Sequence, residues 1–461
     1  MRTPPKETMG VCLGSCCRKT DTIPLCKGVH HTFWTVMLWW LPPSLLPSFC
    51  PRGAGLPFDG MCGNQFLFSN TGNLRCSAQM AFPDATEGVS ARWDVGTQTP
   101  HGGQEWRDMS NFVEDFSVTT NGLRTPKRAL EVAAAALREV SHYPSCDHEP
   151  ACSGVATFLR GEPRSFAERT DINEKEIERI KKRLVLGNGA SELIDLCTRL
   201  SCASTWSPGP TDVQYKEYER SAANNGLQLQ DHKQAELVCA VNPCNPTGDF
   251  MEIEAMKRFI EDRKNGVTVM VDESMIFWFG PNWRSQSLVN QEDWVNKLYE
   301  TRGIKVFVIH SWTKIWACPG LRVGSILAPH PEAAKRIRKH QVPWSLNTLA
   351  IAFLSEVVKD YDYMSETWKL TPRWSDAFRK TLQGIRPEWD IKGRKWLPFV
   401  WIDTKCSNAA RFYVETCRTR GVPIRWGAHG YQRPTYIRVA VRDPKEAAIV
   451  VDALRTPLSS P

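Results

Sequence analysis

The tract Ser311-Trp312-Thr313-Lys314-Ile315-Trp316-Ala317-Cys318-Pro319-Gly320-Leu321-Arg322 sets a lysine among apolar and tryptophan residues. A lysine desolvated in such surroundings has a lowered pKa, and its amine can form a Schiff base with a carbonyl. Ser311 and Arg322 flank it with a hydroxyl and a fork of donors suited to a phosphate. Asp272 closes the apolar run Val267-Thr268-Val269-Met270-Val271. A carboxylate at the end of a buried strand has to be paired or met by a ligand, because an unpaired buried charge is very costly. A helix cap or structural ion pair is the plainer role, and it is the expected one for Glu273. In Asn242-Pro243-Cys244-Asn245-Pro246-Thr247-Gly248, two Asn-Pro pairs hold the chain extended and present Asn245 rigidly. That is more than a tight turn requires. Gly187-Asn188-Gly189-Ala190-Ser191 joins a strand to a helix, where small residues let backbone N–H groups approach a phosphate. A strand–helix turn needs glycine anyway, so this motif alone says little.

The elements around these clusters alternate. Leu184–Gly187, Leu237–Val241, Val267–Glu273, Lys305–His310 and Val323–Ala328 read as strands. Ser191–Leu200 and Ile253–Arg263 read as helices between them, and Arg128–Val140 as an amphipathic helix before them. Continuous apolar strands separated by helices predict a parallel sheet covered on both faces. Ligands of such sheets bind beyond the carboxyl ends of the strands, where all four clusters fall. After about residue 345 helices dominate, and Leu397–Asp403 and Tyr436–Val441 read as strands of a smaller α+β unit. The expected organisation is a poorly structured extension over 1–98, an arm and helix over 99–150, a large domain over 151–345 and a small domain over 346–461.

The chain has 461 residues, 42% hydrophobic and 23% charged, which excludes a disordered, collagen-like or multi-span membrane protein. Lys and Arg exceed Asp and Glu by 58 − 50 = 8, with no block of five like charges, so no nucleic-acid partner is expected. The apolar stretch Phe33–Leu41 is too short to span a bilayer, which needs about 20 residues. With Arg18, Lys19 and Lys27 before it, it suits the core of a targeting segment; an unstructured extension is an equal reading. The expected location is cytoplasmic or organellar. Cys16, Cys17, Cys26, His30 and His31 match no common zinc spacing, and no metal is expected.

In this order, the four clusters resemble the fold type I pyridoxal-phosphate enzymes of the class I/II aminotransferase family, from about His101 to Leu454. The resemblance implies pyridoxal 5′-phosphate as cofactor. It also implies a mainly parallel sheet sandwiched by helices in a large domain, plus a smaller α+β C-terminal domain. Lys314 is similar to the lysine that bonds the cofactor, Asp272 to the partner of the pyridinium nitrogen and Asn245 to the donor to the 3-hydroxyl. Ser311, Arg322, Ala190 and Ser191 match the phosphate cradle. Tyr215, in Pro210-Thr211-Asp212-Val213-Gln214-Tyr215, matches the aromatic stacked on the ring. Arg438, in Tyr436-Ile437-Arg438-Val439-Ala440-Val441, matches the arginine that grips the substrate α-carboxylate. Tyr143 matches a tyrosine reaching the cofactor phosphate of the neighbouring subunit, which implies a homodimer.

Within the family, histidinol-phosphate aminotransferases and threonine-phosphate decarboxylases are most similar. His101–Gly103, Asp115–Asn121, Pro343–Asn347 and Tyr436–Pro444 lean toward the second. Both act on an amino compound bearing a phosphate. His101 and Arg425 fall where such enzymes hold that phosphate, and Asn121 falls at the substrate; a surface-loop histidine is the plainer reading of His101. Two positions depart from the pattern. Met275, three after Asp272, stands where the family usually has Tyr or Phe, and Thr119 where the decarboxylase branch usually has Asn. The implied activity is amino transfer on a small, phosphorylated amino substrate. Decarboxylation is the alternative, and a catalytically idle cofactor-binding protein is a third reading.

Overall fold

A computed structural model describes residues 101–161 and 174–458. The extension over 1–98, with its candidate targeting stretch, lies outside the described residues. Seven strands form one sheet: β1 (Leu184–Asn188), β2 (Thr205–Pro208), β3 (Gln228–Leu229), β4 (Leu237–Val241), β5 (Thr268–Asp272), β6 (Lys305–Ser311) and β7 (Val323–Leu327). Their order is β1-β7-β6-β5-β4-β2-β3. Every pairing is parallel except the two made by β7, which runs against both β6 and β1. The sheet is therefore mainly parallel, as expected, with one reversed strand that the sequence did not mark. β2 forms within Ser201–Gln214, a segment whose sequence carries no regular pattern.

The period-2 alternation of strand side chains explains why these runs are apolar throughout. Val185, Leu237, Cys239, Val241, Met270 and Ile309 point to one face. There they pack against the helices Gly189–Ser201, Glu217–Asn224 and Pro331–His340. Leu186, Val238, Ala240, Val269, Val271 and Val308 point to the other. They meet Ala151–Arg160, Ile253–Glu261, Glu292–Arg302 and Thr348–Val357 there. Each fully buried aliphatic side chain contributes about 1.5–3 kcal/mol, so a strand with polar residues on either face would not hold here. The predicted helix Arg128–Val140 is an α-helix over Lys127–Ala135 that tightens into a 3₁₀ turn over Ala136–Glu139. Such tightening is common at helix ends.

Four further strands, β8 (Asp390–Lys392), β9 (Phe399–Asp403), β10 (Arg425–Trp426) and β11 (Tyr436–Ala440), form an antiparallel sheet in the order β10-β11-β9-β8. Val400, Ile402, Ile437 and Val439 face a core made with the helices Tyr361–Ile385, Ser407–Thr419 and Pro444–Arg455. Alternation turns Trp401 and Arg438 to the opposite face, away from that core.

Candidate active site

The carboxyl ends of the parallel strands meet in register. Val241, Asp272 and Ile309 form one cross-strand row, and Ser311, Gly324 and Gly187 another. Over this edge lies a cleft partly open to solvent. Ala190, Ser191, Tyr215, Asn245, Asp272, Ser311, Lys314 and Arg322, eight residues singled out from sequence, all line it.

Lys314 is half-buried. Among the described residues no group bonds its amine. Burial lowers its pKa to about 8, helped by the Arg322 and Arg438 charges and opposed by Asp272. Asp272 is buried, and both its oxygens accept hydrogen bonds: Oδ2 from the Tyr218 hydroxyl at 3.0 Å, Oδ1 from the Ser274 N–H at 2.9 Å. Burial raises its pKa, while the Ser274 and Tyr218 bonds and the nearby His310 hold the rise back.

One end of the cleft is built by close backbone approach. The 13-residue helix Gly189–Ser201 starts at the cleft, and its N-cap Asn188 makes no side-chain cap. Its first N–H groups are therefore available to an anion. Gly324 has to lack a Cβ, which would stand 2.4 Å from the Ala190 nitrogen. Gly189 adopts φ +78°, and a Cβ there would stand 2.5 Å from Arg322 Nη2. Arg322, itself at φ +56°, thus lays its guanidinium over the turn and donates to the Pro319 carbonyl at 3.1 Å. The Ser311 and Thr313 hydroxyls are 2.8 Å apart. These donors, this Cβ-free cradle and an unbonded amine fit pyridoxal phosphate.

The remaining candidates fall around the cleft. Tyr215 is 5.7 Å, ring to ring, from His101 and 6.5 Å from Tyr218. His101 Nε2 lies 2.7 Å from Glu217 Oε1, so the histidine is a hydrogen-bond partner of Glu217 as well as a neighbour of the cleft tyrosine. Asn245 Oδ1 accepts from Arg438 Nη1, and Arg438 Nη2 donates to the Ser117 carbonyl. This bond joins the end of β4 to the small sheet and turns the Asn245 amide nitrogen elsewhere. Arg425 and Arg438 are direct cross-strand neighbours, both buried. Burial lowers the pKa of each.

Tyr143 is 77% exposed and stacks on Trp344 at 4.2 Å, outside the cleft of its own chain. Asn121 is outside the cleft too: its amide bonds the Ile315 carbonyl, the Thr367 hydroxyl and the Leu123 N–H. The geometry therefore differs from the expectation that Asn121 faces the substrate, because the Ile315 carbonyl and the Thr367 hydroxyl already occupy its donors.

Glu273 is structural, as expected: it accepts from the Ser287 hydroxyl and, at 2.8 Å, from the Leu288 N–H. Trp312 and Trp316 are fully buried packing residues that stack at 5.0 Å. Sequence reasoning missed Tyr218, Ser274 and Thr313. Tyr218 stands in the first turn of the helix Glu217–Asn224, three residues after Tyr215, which lies before that helix. Ser274, two residues after Asp272, donates its N–H to that carboxylate, while its Oγ accepts from Ser311 N at 2.7 Å. Met275 lines the cleft and brings no hydroxyl to it.

Residues 113–454 match the family Aminotransferase class I and II. Histidinol-phosphate aminotransferase 2 of Pseudomonas aeruginosa is 25% identical over 355 residues, 72% of this chain and 86% of that protein. A histidinol-phosphate aminotransferase structure from Sinorhizobium meliloti, in complex with pyridoxal-5′-phosphate, aligns with a TM-score of 0.61 at 17% identity. It covers 82% of this chain and 98% of that one. The L-threonine-O-3-phosphate decarboxylase of Porphyromonas gingivalis aligns with a TM-score of 0.58 at 17% identity, over 74% and 98%. At these identities the structural likeness is one of fold, and it is the expected fold type I architecture. The family match spans the sheet, the cleft and the small sheet alike, and the chain belongs to the class I and II aminotransferases, a family dependent on pyridoxal phosphate.

Proposed function

We propose that the protein is an aminotransferase for a small, phosphorylated amino substrate, similar to histidinol-phosphate aminotransferase. The observation that carries this reading is the unbonded Lys314 amine, sharing one cleft with Asp272, Ser311, Arg322 and an uncapped helix N-terminus. Pyridoxal phosphate, when bound, supplies an electron sink for the bonds at the substrate α-carbon. The Ala190 and Ser191 N–H groups, Ser311 and Arg322 hold its phosphate. Asp272 keeps a proton on the ring nitrogen, because an opposite charge within bonding reach favours the cation. Asn245 donates to the 3-oxygen and Tyr215 lies against the ring. Lys314 Nζ would be the amine that bonds the cofactor and the group that takes and returns the α-proton. Arg438 would orient the carboxylate of whichever substrate carries one, which in this reading is the 2-oxo acid that accepts the amine. Arg425 and His101 receive the substrate phosphate. Two subunits complete the site, each lending its Tyr143 to the other, and the chain divides into its large and small domains near residue 345.

One observation favours a second reading, a threonine-phosphate decarboxylase-like lyase. Arg425 and Arg438 side by side offer seats for two anionic groups, and threonine phosphate carries both a carboxylate and a phosphate. The deciding experiment supplies purified, cofactor-loaded protein with histidinol phosphate plus a 2-oxo acid, and separately with threonine phosphate. Amino transfer to the oxo acid supports the first reading. CO₂ release from threonine phosphate replaces it with the second. A visible spectrum that responds to neither amine sinks both and leaves a cofactor-binding protein without turnover.

A further inference from the structure

We propose that Asn121 is a positioning residue for Lys314: it holds the turn that carries the lysine, and through it the direction of the amine. The inference rests on the reading of Lys314 given above. The lysine lies in a helix of four residues, Trp312–Ile315. The Ala317 N–H reaches the Lys314 carbonyl locally at 3.2 Å, and the end of so short a helix takes further donors from outside. Those donors come from two places far away in sequence. The Asn121 N–H reaches the Lys314 carbonyl at 2.9 Å. The Asn121 Nδ2 reaches the Ile315 carbonyl at 3.0 Å, which also accepts from the Tyr363 hydroxyl at 3.1 Å. The Thr125 hydroxyl takes the Ala317 carbonyl at 2.6 Å. Asn121 is itself held: Nδ2 donates to Thr367 Oγ1 at 2.8 Å, that hydroxyl donates to the Tyr363 carbonyl at 2.8 Å, and Oδ1 accepts from Leu123 N at 3.1 Å. Asparagine has two amide hydrogens, and both have partners here.

The segment that ends in Asn121 is pinned at its other end by the small sheet. Arg438 donates to the Ser117 carbonyl. Arg442, buried, donates to the carbonyls of Asp115 at 2.9 Å, Val118 at 3.2 Å and Thr120 at 3.0 Å. One extended segment therefore touches the arginine read as the carboxylate seat and the backbone of the lysine. Displacing the Lys314 turn would move its amine relative to Asp272, Arg322, Arg438 and Cys318, the charged and titratable groups that face it.

The test uses full-length protein loaded with pyridoxal 5′-phosphate, titrating its visible absorption band against pH. Asn121→Ala removes the side-chain bonds to Ile315 and Thr367 and leaves the backbone N–H on the Lys314 carbonyl. The midpoint is expected to move by about half a pH unit or more while one cofactor per chain is still taken up. With the amine the wild type turns over, kcat is expected to fall about tenfold with KM within about twofold. Thr367→Val, which removes only the support, should move the midpoint in the same direction, and Thr367→Ser should restore it; this pair decides the matter if Asn121→Ala does not fold. Unmoved midpoints in both Asn121→Ala and Thr367→Val, or a raised KM at full kcat, overturn the inference while leaving the function of Lys314 standing. Wild-type protein that takes up no cofactor, or that borohydride does not label at Lys314, fails the function reading itself, and this inference falls with it.

Discussion

Burial acts in opposite directions on the two groups that face each other across the cleft. It disfavours the charged form of each, so it lowers Lys314 to about 8 and raises Asp272. For the lysine this is productive: an amine must be unprotonated to attack an aldehyde. At pH 7.5 about a quarter of such amines are free base, against about 0.1% for an ordinary lysine. In its proposed role Asp272 has to remain ionised to hold a pyridinium proton, and Tyr218 and Ser274 both donate to its oxygens. The rate at which cofactor-free protein captures pyridoxal phosphate is therefore expected to rise about tenfold per pH unit at low pH and level off near pH 8. A profile still climbing at pH 10 would contradict the lowered pKa. The same shift has a stability consequence with a definite sign. Between about 8 and the ordinary lysine value of about 10.4 the unfolded chain binds more protons, so Lys314 makes folding more favourable as pH rises through that window. Lys314→Ala is expected to abolish borohydride-fixed cofactor; label persisting on the variant, located by mass spectrometry, would remove the lysine from its role.

At the scale of elements, the cradle depends on three pieces of backbone pressed together: the end of β6, the start of β7 and the first turn of Gly189–Ser201. Gly324 is their contact point, where an added Cβ would meet the Ala190 nitrogen at 2.4 Å and other backbone atoms besides. Backbone cannot rotate aside as a flexible side chain would. Gly324→Val is expected to destabilise the protein by about 1–3 kcal/mol in urea unfolding. It should also weaken cofactor binding, because the shifted helix start no longer presents its N–H groups. Wild-type stability together with wild-type cofactor affinity would show that the cradle does not need the close approach. Val323–Ala328 was legible as a strand. The reversed direction of β7 was not, since a five-residue apolar strand carries no mark of which way its neighbour runs.

For the whole molecule, the question is what covers the face around Tyr143. Leu137, Val140, Tyr143, Val342 and Trp344 are all exposed, and the tyrosine stacks on the tryptophan. Single exposed apolar residues are ordinary, but several on neighbouring segments mark an interaction surface. The proposed homodimer would cover them and deliver Tyr143 to the partner's cofactor phosphate. Light scattering is expected to give twice the chain mass of 52.2 kDa. A fully active monomer would contradict both the dimer and the role of Tyr143. No described helix is long and apolar enough to cross a membrane.

The sequence, through the family it resembles, carried the cofactor class, and it singled out eight residues that line one cleft. Lys314, Asp272, Asn245 and the Ala190–Ser191 turn each sit in a short contiguous motif at a strand end, and a strand end in a parallel sheet has only one place to be. Tertiary structure decided what those residues touch. Tyr218 reaches Asp272 across 54 positions, Arg438 reaches Asn245 across 193, and Asn121 reaches Thr367 across 246. A local pattern can specify where a side chain starts. Its partner depends on how separate elements pack, and packing is settled by the cores beneath both sheets rather than by any one motif.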